Sequence, residues 1–462
     1  MKPAFLLILS AVIFFSCKKD SFITSPDARV YASTDTLSFD TVFTSVGSVT
    51  RSFKIFNNND QKLRLSRVQL SGGSSSPFKI NIDGAAATEV NNIEINANDS
   101  LYVFVQVNLD PNGATLPFIL SDSIRIEYNG NTQFVQLQAY GQNAVFLKKA
   151  MLAGNVNWNN TLPYVILGGI QVDTGATLHI ASGTKIYLHA DAPFLVDGTV
   201  IANGTKDKPI IFSGDRLDAG YKDLPAAWPG IYFRGTSQDN YLKHTIIKNA
   251  YQGIIAQGLS TTANPKLTLS QCIIDNIYDA GILGIRTDVY ADNCLISNCG
   301  SNIMLGFGGK YRFVNCTVAS YGNFYIAHKS PVLQVADFLI QDGSTLTAPL
   351  NALFVNCIFW GENGNVDDEI IVGKKGAGPF SVTFDHVMYK AKTDPAFASF
   401  ISPIKNIPPA FDSINTIRNF YDFHFTKNPS APAVNAGTIT SFLFDLDDKA
   451  RDASPDIGCY ER

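Results

Sequence analysis

Apolar and polar residues alternate in short runs along most of the chain, with Gly, Asn and Asp clusters between the runs. In the first third, the runs are Thr36 to Phe43, Ser52 to Phe56, Leu63 to Leu70, Phe78 to Ile82, Leu101 to Val107, Ser123 to Tyr128 and Phe134 to Ala139. From Trp158 the runs shorten and begin to repeat. Cys272, Cys294 and Cys316 stand 22 residues apart, and Cys357 follows 41 residues later. Each sits second in the same phrase: Gln271-Cys272-Ile273-Ile274, Asn293-Cys294-Leu295-Ile296, Asn315-Cys316-Thr317-Val318, Asn356-Cys357-Ile358-Phe359. His244-Thr245-Ile246-Ile247 is an earlier copy without cysteine, and a second asparagine recurs at Asn249, Asn276 and Asn298.

A fixed period with one β-type run per copy means stacked units, none of which can bury its apolar face alone. The chain from 150 to 462 is therefore expected to be a right-handed parallel β-helix, a pectate-lyase-like solenoid. Coils about 4.8 Å apart pile equivalent side chains on one another. Cys, Val and Ile suit such an interior column, where a free thiol behaves as a small hydrophobe. Asparagine or glutamine before each cysteine is expected to mark the bend and bond backbone of the adjacent coil. No Cys-x-x-Cys pair offers a metal site, and Cys294 with Cys299 is a loose pair. Disulfides between stacked coils stay open, since the coil spacing lies within the Cα range of about 4.4–6.8 Å.

The seven earlier runs, with their Gly/Asn/Asp turns, predict an Ig-like β-sandwich over 27–146, so the whole chain is expected to be all-β. Composition agrees: charged residues are 16% of the chain, well under the usual ~25%. The net charge of −4 gives no general attraction to nucleic acid, and no such partner is expected.

Met1-Lys2 followed by the apolar run Ala4 to Phe15 reads as a signal peptide over 1–16. Phe14-Phe15-Ser16-Cys17 resembles a bacterial lipobox, with Phe14 where leucine is usual, which implies lipidation of Cys17 and a linker over 17–26. Lys18-Lys19-Asp20 resembles the signal that sends lipoproteins of Bacteroidetes-type bacteria to the cell exterior. The resemblance implies an outer-membrane address through a lipid anchor; a charged linker facing the periplasm is the alternative. Several acyl chains, each CH₂ contributing about 0.8 kcal/mol, would anchor it stably.

Val42-Phe43-Thr44-Ser45-Val46-Gly47-Ser48 and Ile95 to Val103 resemble bacterial Ig-like modules related to those of ciliary and flagellar proteins, which implies a spacer or contact domain. Gly175-x-Thr177-Leu178, Gly183-Thr184-Lys185-Ile186, Gly198-Thr199-Val200 and Trp228-Pro229-Gly230-Ile231 resemble the entry coils of β-helix lipoproteins of Bacteroidetes-type bacteria. Between Phe212 and Ile231 lies the loop with the densest chemistry: Asp215, Arg216, Asp218, Tyr221, Lys222, Asp223 and Trp228. Carboxylates, an arginine and aromatics on a rigid scaffold suit a sugar, gripped by planar hydrogen bonds and ring stacking. The alternative is an ordered cap in which Arg216 pairs with Asp215 or Asp218 and Trp228 covers a coil edge.

Two groups of enzymes share the expected fold. Polygalacturonase-type hydrolases carry aspartates in Asn-Thr-Asp, Asp-Asp and Gly-His-Gly contexts, because one carboxyl protonates the leaving oxygen while another activates water. Here Asp367-Asp368 is the only such pair before the C-terminal tail, and it sits in a Gly/Asn stretch that reads as a solvated turn. Pectate-lyase-type enzymes use a calcium-binding aspartate cluster and a base. Lys243, Lys248, Arg286, Lys310 and Arg312 are candidates to line a face with Asp275, Asp288 and Asp292, and no spacing singles one out. Tyr251 and Tyr278 share an offset and suit a stacking platform, or packing between coils. Asp456-Ile457-Gly458-Cys459-Tyr460-Glu461 resembles the Asp-Ile-Gly-Ala-Tyr-Glu element of bacterial β-helix proteins, which implies closure of the last coil. Asp445, Asp447 and Asp448 leave calcium open as the one ion to test; no other cofactor is expected. The reading is a surface lipoprotein whose helix binds a polysaccharide or a surface protein without catalysis. A polysaccharide lyase or glycoside hydrolase with a non-standard site is the alternative.

Overall fold

The computed structural model describes residues 21–44, 48–110, 118–428 and 430–462. Cys17 and the lipobox lie outside them. The chain divides into two compact units between Asn143 and Ala144. Among the described residues there is no α-helix and no helix long and apolar enough to cross a membrane.

The described strands of the first unit form two five-stranded sheets. One holds Val30–Ala32, Arg51–Asn57, Asp99–Val107, Phe78–Ile82 and Ala85–Ala86, all antiparallel. The other holds Thr36–Phe43, Asn131–Gln142, Phe118–Tyr128, Leu63–Leu70 and Glu89–Ile95, with Thr36–Phe43 parallel to its neighbour. Their alternating inner residues, Phe39, Phe53, Leu65, Phe78 and Val103 among them, form one buried core, which makes the unit a β-sandwich. The strands Val30–Ala32, Ala85–Ala86 and Glu89–Ile95 add to the seven read from the sequence. Asn57 joins the two sheets: its buried amide donates to the carbonyls of Ile95 and Asn96.

The second unit is a parallel β-helix of 26 described strands in one ladder. Each coil contributes up to three short strands, so the ladder has three sides. Phe194–Val196, Ile231–Phe233, Ile254–Gln257 and Leu333–Ala336 belong to the first side. Thr199–Asn203, Asn240–Lys243, Leu267–Ser270 and Leu350–Val355 belong to the second. Thr245–Lys248, Ile273–Asp275, Leu295–Ser297, Thr317–Ser320 and Ile358–Gly361 belong to the third. The 22-residue period is the coil length where it holds, as Ile273, Leu295 and Thr317 are lateral neighbours; the 41 residues to Ile358, the next neighbour, make one longer coil and not two.

Cys272, Cys294, Cys316 and Cys357 fill the interior column and are fully buried as free thiols. Each lies 3.2–3.3 Å from the carbonyl two residues before it and donates to it. Burial pushes the Cys294 and Cys357 thiols up, which keeps them protonated hydrophobes.

The bend into the third side falls on Gln271, Asn293, Asn315 and Asn356, with φ of 50–52°. Asparagine tolerates this left-handed region, so a single residue turns the corner. The expectation that these amides bond the adjacent coil's backbone fails. They reach the C-terminal segment instead: Gln271 donates to the Asp445 carbonyl at 2.6 Å, and Asn356 to the Thr438 carbonyl at 2.8 Å. The Arg451 guanidinium donates to Asn293 at 2.9 Å. A left-handed corner points its side chain outward, where the covering segment and neighbouring corner side chains satisfy it, as Asn356 also donates to Asn315 at 2.9 Å. The C-terminal element thus runs back along this corner, and Phe423, Phe425, Leu446, Ile457 and Tyr460 cover Leu295, Ile358, Trp360 and Met388 on the third side. That is a lateral cover, and the simple end closure implied by the resemblance is not what forms.

Candidate functional site

The covered third side leaves two open sides and the corner where the third side passes to the first. That corner turns at Asn249, Asn276 and Asn298, again left-handed, with φ of 63°, 56° and 49°. Residues 215–230 are the long insertion at this corner. Two asparagine amides hold it down: Asn249 donates to the Lys222 carbonyl at 2.7 Å and Asn276 to the Asp223 carbonyl at 2.8 Å. Asn276 also donates to Asn249 at 2.9 Å and accepts from Asn323 at 3.0 Å, so the ladder continues across coils. Tyr251 and Tyr278 stand two residues past Asn249 and Asn276. The same ladder therefore brings the loop and the tyrosine pair onto one edge.

On that edge the rings of Tyr251 and Tyr278 are stacked, with centroids 5.6 Å apart and planes 25° from parallel. They are 46% and 52% exposed, so each still offers ring area to a ligand. The Arg216 guanidinium lies over the Tyr221 ring at 3.7 Å and makes a fork on Asp218 through two hydrogen bonds of 2.9 and 3.1 Å. That pairing holds the guanidinium above its ordinary proton affinity, so it is a permanent cation. Asp215 bonds His189 Nδ1 at 2.7 Å, and Asp223 is exposed. Behind the tyrosines, Gln252 donates to Asp279 at 2.9 Å, and burial together with Tyr251 keeps the Tyr232 phenol neutral.

Trp228 is not a ligand platform. It is 1% exposed in the coil core, and its indole N–H donates to the Lys248 carbonyl at 3.0 Å. An indole in contact with the coil interior gains far more by burial than by exposure on a loop. Gly230 then returns the chain to the first side at φ 130°, where a side chain would strike the Gln252 carbonyl.

Asp367 and Asp368 lie at a later turn. Asp368 accepts the backbone N–H groups of Lys392 and Thr393, and Asp367 sits exposed 3.9 Å from Lys392. The buried carboxylate of that run is the next residue: Glu369 is fully buried and bonds His328 Nε2 at 2.8 Å. The three C-terminal carboxylates go separate ways. Asp445 accepts the N–H groups of Asp447, Lys449 and Glu461, Asp447 bonds His424, and Asp448 bonds His244 and Gln271. Among the described residues, no group of three His, Cys, Asp or Glu side chains is placed to hold a metal ion.

The five cations and three aspartates weighed as one face are dispersed. Lys248 and Asp275 lie on the third side, and Arg286 and Asp288 at the corner from first to second. Asp292 and Arg312 come together on the open second side, in a groove of about 290 Å³ with Tyr241, Ser270 and Tyr290, while Lys243 stands two coils from Asp292 in the same outward row and does not line it. Neither tyrosine was singled out from the sequence. Their signal is the cysteine period itself: Thr268, Tyr290 and Arg312 each precede a column cysteine by four residues, Ser270 and Asp292 by two. On the first side the outward residues Tyr232, Leu283, Met304, Gln334 and Ile371 include no carboxylate.

With this geometry in view, residues 150–261 match the model of a family described as a pectate-lyase-like β-helix domain. A search of curated proteins finds no match. Three solved structures share slight likenesses. A family 123 glycoside hydrolase from Clostridium perfringens is 11% identical over 26% of each chain, with a TM-score of 0.18. A protein of unknown function from Porphyromonas gingivalis is 10% identical over 27% of this chain and 60% of its own, at 0.19. The ASH/PapD-like domain of human CEP192 is 12% identical over 28% of this chain and 99% of its own, at 0.18. Likeness at this level says nothing of activity.

Proposed function

We propose that the β-helix is a non-catalytic carbohydrate-binding module. In this reading a lipid on Cys17 anchors it at the outer membrane, and the β-sandwich acts as spacer. The observation that carries it is the stacked, half-exposed Tyr251–Tyr278 pair beside the Arg216–Tyr221 loop. The stacked pair keeps its outer faces and edges open to solvent, which suits the apolar face of a sugar, and the loop's polar groups suit its hydroxyls. The family model supports a carbohydrate-related role. The carboxylates of the edge favour binding over hydrolysis, because Asp215 and Asp218 are each committed to a cation or imidazole. Glycoside cleavage needs two carboxyls flanking one bond.

The test is a polysaccharide panel on the whole chain, with and without calcium, scored for retention and for release of reducing or unsaturated ends. Retention without release, weakened about two- to tenfold by Tyr278→Ala, is expected, since one aromatic contact contributes about 0.5–1.5 kcal/mol. Release of ends abolished by Asp215→Asn or Asp218→Asn sinks the reading in favour of an enzyme.

A further inference from the structure

The first side of the coil carries a groove of a different kind. Its floor is made of small residues, Gly306, Ala336 and Gly373, which follow Ile285 on successive coils. One wall is the outward row Leu283, Met304, Gln334 and Ile371, each the lateral neighbour of the one before. The other wall is the antiparallel hairpin of Phe338–Gln341 and Ser344–Thr347, which packs beside the strand Ser301–Val314. The Phe338 ring lies over Gly373, where an added side chain would strike it. Four coils at a spacing of about 4.8 Å make the trough roughly 14 Å long. It encloses about 520 Å³, and Gln334 is the one polar side chain lining it among the described residues. The walls stand in water: Ile340 is 59% exposed and Ile371 47%. Apolar surface gathered in one exposed place marks a site of contact.

Two cations stand at the rim. Arg286 follows Ile285 on the first of the four coils, and its guanidinium lies 5.5 Å from the centre of the Phe307 ring. Lys375 stands two residues past Gly373 on the last, with Nζ 4.5 Å from the centre of the Phe338 ring. Both rings line the groove and both cations are exposed. Neither cation is bonded to a carboxylate among the described residues. Asp337, at the base of the hairpin, is buried and accepts the backbone N–H groups of Lys375 and Gly376 at 2.8 and 2.9 Å, so its charge is already engaged.

We infer that this groove binds a long-chain fatty acid, with the acyl chain along the floor from Gly306 to Gly373 and the carboxylate at the cationic rim. A lining with one amide and no other polar side chain cannot satisfy the hydroxyls of a sugar, and each one left unpaired counts against binding. An acyl chain brings no polar group to satisfy. An uncharged chain would leave Arg286 and Lys375 unused, whereas a carboxylate head meets either through charge-assisted hydrogen bonds. The volume falls within the usual range of ligand pockets, about 300–1,000 Å³. A recessed trough suits a single monomeric chain rather than a bilayer surface. The inference does not rest on the carbohydrate reading, since neither the tyrosine pair nor its loop lines this groove.

The experiment titrates the whole chain with laurate, myristate and palmitate below their micelle concentrations, with myristyl alcohol as the uncharged control. Expected is saturable binding that strengthens about tenfold from laurate to myristate, since each buried CH₂ contributes a factor of about four. The alcohol should bind severalfold more weakly, and Arg286→Gln combined with Lys375→Gln should erase that difference. A side chain at Gly306 meets nothing within 4 Å, so Gly306→Phe should fill the trough, leave the fold intact and weaken myristate tenfold or more. Ile340→Asp, on the exposed wall, should also weaken it with tryptophan fluorescence unchanged. Failure of monomeric myristate to bind, or binding that ignores both variants, overturns the inference. So does capture of phosphatidylglycerol vesicles without binding of the monomeric acid, which would make the face a membrane contact. Self-association abolished by Ile340→Asp, with no acid bound, would make it an interface between copies and overturn the inference equally.

Discussion

Asp292→Asn should make the coil more stable near neutral pH, and the size of the gain follows from where the carboxyl sits. Burial is the largest influence on it, and the Asn293 and Ser270 hydrogen bonds only partly offset that burial. Its folded value of about 6 stands above the ordinary 3.8. A carboxyl that holds its proton more tightly folded than unfolded stabilises the fold in acid and loses that contribution as pH rises. The window lies between the two values. At 1.36 kcal/mol per unit, charging it costs about 3 kcal/mol across that window. An asparagine keeps the shape and can accept the Ser270 hydroxyl but never takes the charge. The variant-minus-wild-type difference in unfolding free energy should therefore be small near pH 4 and grow by about 3 kcal/mol by pH 7.

Denaturant unfolding followed by tryptophan fluorescence measures this in the whole chain. The three tryptophans, Trp158, Trp228 and Trp360, are all buried in the coil, so the signal reports that unit alone. Every other carboxylate titrates in both proteins and cancels from the difference. A gap that stays level from about pH 4 to about pH 7, or a wild type more stable than the variant at neutral pH, would refute the reasoning.

Two further outcomes separate scaffold from site. Trp228→Ala should destabilise the coil by about 3–5 kcal/mol, as a large buried side chain leaves a cavity; a change under about 1 kcal/mol would place the indole outside the core. Asn276→Ala removes the bonds to the Asp223 carbonyl, Asn249 and Asn323 and should release the loop. Trypsin would then cleave after the exposed Lys222 at a denaturant level that leaves tryptophan fluorescence native, and no new cleavage there would count against the ladder's role.

The coil was legible because its signals are local. A left-handed asparagine or glutamine, a small buried thiol and a short run of mostly β-branched residues recur in four coils, and each states its own conformation without knowledge of the rest. The same locality left the two readings of Trp228, ligand platform or cover of a coil edge, open. A tryptophan in a polar loop looks like an exposed ring, and only the Lys248 carbonyl on the next coil, 20 residues away, shows otherwise. The C-terminal cover was less visible still, since Gln271 meets Asp445 across 174 residues and nothing in either local phrase names the other. The loop and the tyrosine pair were seen separately for the same reason: their common edge is made by Asn249 and Asn276, whose partners are backbone carbonyls and carry no sequence signature.

Which parts of a solenoid can act is decided by what the chain leaves uncovered. The third side is apolar outside as well as inside, with Leu295, Ile358, Trp360 and Met388 facing out, and it would be an aggregation surface without the C-terminal cover. The second side is different. Its outward rows include Tyr241, Tyr290 and Arg312 in one and Ser270 and Asp292 in the other, polar enough to stay in water, yet they hold one carboxylate where burial penalises the charge. An asparagine there would serve packing at least as well. A group held at a cost to stability, within a groove and beside the exposed Arg312 guanidinium, is the arrangement expected of a site that must meet a ligand.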